Sequence, residues 1–472
     1  MTAALAAMLS GVAFFASAHM GTIWPLAWVA ATPVLWLAFG GASVRDAGVW
    51  RTALVALTAY LIGRLNLLPV YYNVLPPLTL AAAILLPAIG FAVAVLAARF
   101  VHRRLDGLAA AFAFAGMWTA IEYAGAMGPD GATTSIAYGQ VGAPWLVQAA
   151  SLLGMWCITF LIGLVSSAAA LALARRRLWP ALFAAALFLG NTGYGLWHVR
   201  PHSGPQMRVA LIDSDELDDA ATAADHFAAM NAVALYAGQI DTLAERKPDL
   251  YVLPERLAVL GPQWRQQAER RLMQAAKSAD ATIVGGFALL EKNGSRNAAL
   301  VFRAGAAQPQ VQPQRPHLSW FDRRPQPKPL MTARRIAVAL GHDMRFPRLI
   351  RADARAHPLL VAVPARDFGD DGYAEARIAI MRSIENGFAL ARTARDGVLS
   401  ITDSYGREAG RRESADDTSV TLVKTVALGR GGGFTLYARI GDLFAWVAGV
   451  LALVLLCWAM FKGGRPKRER AA

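Results

Sequence analysis

Cysteine is nearly absent from this sequence. The chain has two cysteines in 472 residues, Cys157 and Cys457, and both lie inside long apolar runs. The polar stretch between them, residues 200–442, contains none. That stretch therefore forms no disulfide of its own, no thiolate metal site and no cysteine nucleophile.

Charged residues are also scarce, at 17% of a chain that is 55% hydrophobic. Residues 1–197 carry few charges, whereas residues 200–440 have the composition of an ordinary soluble protein that is large enough to bury its own core. This asymmetry predicts a membrane part and a globular part. The net charge of +14 does not indicate nucleic-acid binding, because many Arg and Lys residues flank apolar runs, where such charges set membrane topology.

Eight apolar runs approach the length of about 20 residues that spans a bilayer core. They are 3–18, 22–40, 52–72, 77–98, 108–127, 145–174, 178–197 and 443–461. Arginines occupy every second loop, whereas the alternate loops 19–21, 73–76 and 128–144 contain neither Lys nor Arg. The positive-inside rule then places the N-terminus in the cytoplasm. The predicted parts are a membrane domain of about seven helices (1–198), an extracytoplasmic domain (199–442), a final membrane helix (443–461) and a basic cytoplasmic tail (462–472).

The predicted external domain alternates short apolar runs with helical segments. Strands are predicted at 208–213, 249–254, 281–286, 298–302, 335–340, 359–363, 388–394 and 398–403, and helices at about 216–246, 262–278 and 371–387. Continuous apolar strands that alternate with helices indicate a layered α/β domain. Functional residues in such folds gather at strand ends.

Two carboxylates are candidate functional groups. Glu255 directly follows a predicted buried strand, in Pro254-Glu255, where it is placed either as a general base or as a surface or helix-capping residue. Glu122 lies toward the outer end of the fifth apolar run. At membrane depth it would face a cavity or a partner, and nearer the interface it would be hydrated.

Six features in order resemble the apolipoprotein N-acyltransferase family, whose external domain is of nitrilase type. They are Asp249–Glu255, Ile336–Pro347, Met381–Gly387, the pair Asp396–Val398 and Asp403–Arg407, Tyr437–Asp442, and Trp118 with Glu122. The resemblance implies a polytopic helical membrane bundle carrying an α-β-β-α sandwich, in the bacterial inner membrane with the sandwich on the periplasmic side. It also implies acyl transfer from a phospholipid to the N-terminal amino group of a lipoprotein.

The family's reaction uses a Glu–Lys–Cys triad, in which the glutamate activates a thiol and the lysine stabilises the oxyanion. Carried over by position, Glu255 falls on the base, and Arg315 falls near the lysine, with Lys328 as the alternative. Gly341 falls on the nucleophilic cysteine and is followed by His342 and Asp343. A glycine has no side chain to acylate.

Three functions are compatible with these departures from the family. The first is a non-catalytic protein that binds lipid, lipoprotein or a membrane partner, with Arg315 paired to a structural Glu255. The second is an acyltransferase or amidase without cysteine, in which His342 is base or nucleophile. The third is a structural part of an envelope or transfer assembly. The scattered histidines have no ligand spacing, so we expect no metal and no cofactor.

Overall fold

The structure is a computed structural model, and it describes residues 2–40, 48–105, 107–199, 204–214, 224–292, 294–315, 329–414 and 419–462. Lys328, the start of the predicted helix 216–246 and most of the predicted tail 462–472 lie outside the described residues. The chain forms two compact units. The helical unit comprises Met1–Met127, Thr134–Val199 and Ile440–Ala472, and the α/β unit comprises Gly128–Thr133 and Arg200–Arg439.

Helices dominate the first unit and form two layers of the second. In chain order they are α1 (Ala3–Ser17), α2 (Ala27–Ala30), α3 (Thr32–Ala38), α4 (Val49–Arg64), α5 (Leu68–Tyr71), α6 (Pro77–His102), α7 (Ala109–Gly125), α8 (Ala150–Leu153), α9 (Met155–Arg175), α10 (Trp179–His198), α11 (His226–Leu243), α12 (Arg265–Ser278), α13 (Pro347–Ala354), α14 (Gly372–Asn386), α15 (Leu436–Ile440) and α16 (Leu443–Phe461).

Four helical stretches in the described residues are long and apolar enough to cross a membrane. They are Val49–Tyr71, Pro77–His102, Met155–Arg175 and Leu443–Phe461. The predicted span 22–40 is broken into α2 and α3, and the predicted span 145–174 is interrupted at Gly154. Gly154 has a φ of 77°, which interrupts a helix and which glycine adopts without steric penalty. The number of membrane crossings therefore stays a prediction.

Two mixed sheets form the centre of the α/β unit. Its strands are β1 (Gln206–Ser214), β2 (Leu250–Val252), β3 (Val259–Leu260), β4 (Thr282–Glu291), β5 (Gly294–Arg303), β6 (Gln310–Pro313), β7 (Ile336–Val338), β8 (Leu360–Arg366), β9 (Ala389–Arg395), β10 (Val398–Thr402), β11 (Glu408–Glu413) and β12 (Ser419–Ala427). The first sheet has the order β12-β1-β2-β4-β5-β6, with β3 beside β4, and the second has the order β11-β10-β9-β8-β7. Strands β1, β2 and β4 run parallel, as do β7, β8 and β9.

Alternate side chains of each buried strand enter different cores, because successive residues of a strand point to opposite faces. On β1, Ala210 and Ile212 pack with residues of α11 and α12. Val209 and Leu211 pack against the second sheet, on residues such as Leu360. Helix α14 packs against β9 and β10. The layers are therefore helix, sheet, sheet and helix, and the predicted α-β-β-α sandwich is confirmed.

All eight predicted strands are present, with ends shifted by a few residues. The sequence did not predict β3, β6, β11, β12 or helix α13. Strand β11 reads Glu-Ala-Gly-Arg-Arg-Glu and is largely exposed at a sheet edge. An edge strand of this kind has no apolar run for a sequence pattern to detect.

Candidate active site

Glu255 lies three residues beyond the carboxyl end of β2. Its backbone N–H donates to the carbonyl of Ala365 on β8, at 3.0 Å, and this bond joins the ends of the two sheets. Gly286 permits the close approach, because a Cβ there would lie 2.5 Å from the Glu255 Cα. The next residue, Arg256, has a φ of 55°, in the left-handed region that side-chain-bearing residues rarely adopt. The backbone around Glu255 is thus held in a constrained position.

The Glu255 carboxylate is buried, with 8% of the residue exposed. Asn297 on β5 donates from Nδ2 to Oε1 at 3.0 Å. Oε2 receives no hydrogen bond from the part of the chain that the structure describes. Burial, reinforced by the nearby Asp343 carboxyl, raises the pKa of Glu255 to about 7. A carboxyl with a pKa near neutrality is suited to accept and release a proton.

Gly341 follows β7 and begins a 3₁₀ turn, Gly341–Arg345. A Cβ built on Gly341 would lie 3.6 Å from Oε2 of Glu255. The structure thus brings together the two positions that the resemblance assigns to base and nucleophile. The second of them carries no side chain.

Arg315 forms hydrogen bonds to two aspartates. Its Nη1 donates to Asp353 Oδ1 at 2.6 Å, and its Nε and Nη2 donate to Asp343 Oδ2 at 3.2 and 3.1 Å. All three residues are buried. The expected ion pair between Arg315 and Glu255 is therefore wrong, because the planar guanidinium is already occupied by Asp343 and Asp353.

The two aspartates share one guanidinium in a buried site. Burial raises the pKa of Asp353 to about 6 and raises that of Asp343 as well. Burial alone would lower the pKa of Arg315, but the Asp353 and Asp343 carboxylates outweigh it and hold that pKa above its usual value. Asp343 also accepts from the backbone N–H of Leu340 at 3.3 Å. The cluster therefore fixes the turn that contains Gly341.

His342 and Asp343 are neighbours in sequence with different surroundings. The Asp343 carboxylate is turned toward Arg315. The His342 ring is partly exposed and lies edge-on to Phe346, with ring centroids 5.3 Å apart. A role for His342 as base or nucleophile stays a prediction.

Asp367 is a buried acid near the site that the sequence did not single out. Nη1 of Arg392, on β9, donates to Asp367 Oδ2 at 3.0 Å, and the backbone N–H of Val398 donates to the same oxygen at 3.3 Å. Burial outweighs Arg392 and raises the pKa of Asp367 to about 7. The available signal was an aspartate just beyond the apolar strand 359–363. Its charge adds to the rise in the pKa of Glu255.

Glu122 belongs to the helical unit, on α7. Its Oε2 accepts hydrogen bonds from the hydroxyls of Ser135, at 2.8 Å, and Thr159, at 3.0 Å. Both hydroxyl residues are buried. The carboxylate is therefore held by partners within its own unit.

Among the described residues, the α/β site presents a buried carboxyl of raised pKa at Glu255 and a position without a side chain at Gly341. A thioester requires a sulfur nucleophile, and Gly341 has none. Oxyanion stabilisation requires a donor aimed at the reacting oxygen, and Nε, Nη1 and Nη2 of Arg315 all donate to aspartates.

Known proteins resemble this chain over most of its length. Residues 10–168 match the family described as the apolipoprotein N-acyltransferase N-terminal domain. The apolipoprotein N-acyltransferase of Geobacter metallireducens is 27% identical over an alignment of 503 positions, which covers 96% of this chain and 95% of that protein.

Two solved structures are similar to the α/β part. A carbon-nitrogen hydrolase from Helicobacter pylori G27 matches 48% of this chain and 90% of its own, at 14% identity and a TM-score of 0.39. An amidase from Nesterenkonia sp. matches 52% of this chain and 97% of its own, at 18% identity and a TM-score of 0.39.

Apolar helices long enough to cross a membrane, together with an α-β-β-α unit, are the architecture of a membrane protein that carries a layered α/β domain. The match across the N-terminal helices and the similarity over 96% of the chain specify it further. The chain is thus similar to an apolipoprotein N-acyltransferase over nearly its whole length, and residues 10–168 match the N-terminal domain of that family.

Proposed function

We propose that this protein binds a phospholipid or lipoprotein ligand at the Glu255 site without forming a thioester. The observation that carries the proposal is the distance of 3.6 Å between Glu255 Oε2 and a Cβ built on Gly341. The position that faces the base has no side chain. The two cysteines of the chain lie on helices of the other unit, Cys157 on α9 and Cys457 on α16.

The hydrogen bonds of Arg315 to Asp343 and Asp353 support the same proposal. In an acyl transfer the cation near the base must already be aimed at the oxygen on which negative charge develops. Arg315 is instead bonded to two buried aspartates, an arrangement that stabilises the folded turn. The site therefore favours non-covalent recognition over acylation of the protein.

Complementation tests this proposal. Cells depleted of their own N-acyltransferase and expressing this chain should accumulate diacylated lipoprotein, and the purified protein should carry no hydroxylamine-sensitive acyl group by mass spectrometry. Re-expression of the cells' own enzyme is the positive control. Restored triacylation, or an acyl adduct on the protein, for example at His342, would refute the proposal.

One observation favours a second candidate function, hydrolysis of an ester or amide by a water that Glu255 activates. Its pKa of about 7 and an Oε2 that accepts no hydrogen bond from the described residues suit a general base. In that case the wild-type protein would turn over a p-nitrophenyl acyl ester, and the Glu255→Gln variant would lose that turnover. Equal rates for the two proteins would remove this alternative.

We further propose that the protein lies in the bacterial inner membrane with residues 199–442 on the periplasmic side. Of the loops between the predicted membrane spans, only alternate ones carry arginines, and this pattern supports the orientation. Protease added to spheroplasts should then digest the α/β unit, whereas the same protease should leave it intact in sealed inverted vesicles. Digestion in the inverted vesicles alone would reverse the proposed topology.

A further inference from the structure

Ala365 lies between the two positions that define the site. Its carbonyl accepts the backbone N–H of Glu255 at 3.0 Å. A Cβ built on Gly341 would lie 2.8 Å from the Ala365 Cβ and 3.0 Å from its Cα. Carbon atoms in contact normally lie about 3.5–4.0 Å apart. The methyl group of Ala365 therefore occupies the space that a side chain at position 341 requires.

Neither residue can move away easily. Ala365 lies on β8, which is flanked by β7 on one side and β9 on the other, and it pairs in register with Ala394. It is buried, with 1% of the residue exposed. Arg315 and the N–H of Leu340 hold Asp343, in the turn that begins at Gly341.

The backbone of Gly341 does not itself require glycine. Its φ lies outside the left-handed region, since Gly341 is not among the glycines with positive φ. Lack of space, rather than backbone conformation, therefore disfavours a side chain there, and the Ala365 methyl makes the shortest contact.

We propose that Ala365 is the residue that closes the nucleophile position and restricts the site to non-covalent ligands. This inference rests on the proposed function, because it explains why a thiol at position 341 alone does not re-create a triad. Removing the Ala365 methyl eliminates the contact at 2.8 Å and leaves the one at 3.0 Å to the Cα, so the overlap is relieved in part. Positions 341 and 365 therefore form a coupled pair, in which one side chain excludes the other.

Thermal unfolding of the full chain in detergent micelles tests the coupling. Gly341→Ala should lower the unfolding midpoint by about 5 °C, because it overpacks a filled site. Ala365→Gly should also lower it, because a methyl group is lost from a buried strand. The double variant Gly341→Ala with Ala365→Gly should unfold at a higher temperature than Gly341→Ala alone. Additive losses, or an unchanged midpoint for Gly341→Ala, would overturn the proposal.

A matched set of cysteine variants provides a second readout. Gly238 on α11 has no atom within 4 Å of a built Cβ, so Gly238→Cys should leave the midpoint near that of the wild type. Gly341→Cys should lower the midpoint, and adding Ala365→Gly should recover part of the loss. Alkylation by iodoacetamide, resolved by peptide mass spectrometry from Cys157 and Cys457, should be faster at position 341 in the double variant than in Gly341→Cys. Equal alkylation rates with equal midpoints would contradict the coupling.

The two proposals fail in different ways. An acyl adduct on the wild-type protein would refute the proposed function, which excludes covalent chemistry at the site. It would not change the unfolding midpoints of the variants. Additive midpoints would refute the role of Ala365 and would leave the complementation result as it is.

Discussion

Replacing Arg315 by Met is expected to destabilise the α/β unit by about 3–5 kcal/mol. The change leaves two buried carboxylates, Asp343 and Asp353, without their cation, and an uncompensated buried charge is far more costly than a lost surface pair. Arg315 lowers the pKa of Asp353, which is about 6 in the wild type, so in the variant this carboxyl takes up its proton at a higher pH, and the loss should shrink as the pH falls toward about 6. Pulse proteolysis of the full chain in detergent across a urea series measures the effect.

Arg334 provides the matched control. It forms an ion pair with Asp249 at 2.7 Å, but the two side chains are 52% and 40% exposed. Exposed pairs of this kind contribute about 0–1 kcal/mol, so Arg334→Met should change little. If Arg315→Met proved no more destabilising than Arg334→Met, the buried cluster would not be what holds the turn at Gly341.

Lysine is not an adequate replacement for Arg315. The guanidinium donates from three nitrogens at once, to Asp343 on one side and to Asp353 on the other. An ammonium is a point charge without this fixed geometry. We therefore expect Arg315→Lys to loosen the turn rather than to provide an oxyanion donor.

The hydrophobic pattern of the sequence was sufficient to predict a layered α/β unit, and the family resemblance implied its α-β-β-α order. Buried strands show as continuous apolar runs, so β2 and β7 were predicted, and with them the positions of Glu255 and Gly341 at strand ends. The positions of these two residues are predicted from the local hydrophobic pattern and from the order of the motifs along the chain. That is the information that a single sequence carries well.

The partners of those residues could not be predicted in the same way. Arg315 follows an edge strand, β6. One of its two partners, Asp353, lies 38 positions away on a short helix, α13, which the sequence pattern did not predict. The proximity of Gly341 and Ala365 arises from the parallel pairing of β7 with β8, which places two positions 24 residues apart next to each other. Such contacts depend on the register between strands, which residue spacing does not encode.

Replacing Glu255 by Gln is expected to stabilise the protein by about 3 kcal/mol at pH 8. A pKa raised from 4.5 to about 7 means that the folded state prefers the protonated carboxyl, and each tenfold gain in proton affinity on folding corresponds to about 1.4 kcal/mol. Because the folded protein binds the proton more tightly, the stability of the wild type falls as the pH rises from about 4.5 to 7. Glutamine keeps the acceptor for Asn297 Nδ2 and removes the buried charge.

The pH dependence separates this effect from a general gain in packing. At pH 4 the wild type and Glu255→Gln should be nearly equally stable, and the difference should appear between pH 4.5 and 7 in urea unfolding of the full chain. The stability of the variant should still fall as the pH rises, but less steeply than that of the wild type, because burial also raises the pKa values of Asp367 and Asp353. Glu291→Gln, whose side chain is 51% exposed, should shift stability by no more than about 0.5 kcal/mol at any pH. If Glu255→Gln were destabilising at pH 8, the carboxylate would be making a favourable contact in its charged form, and the site would be built to hold a cation beside Glu255.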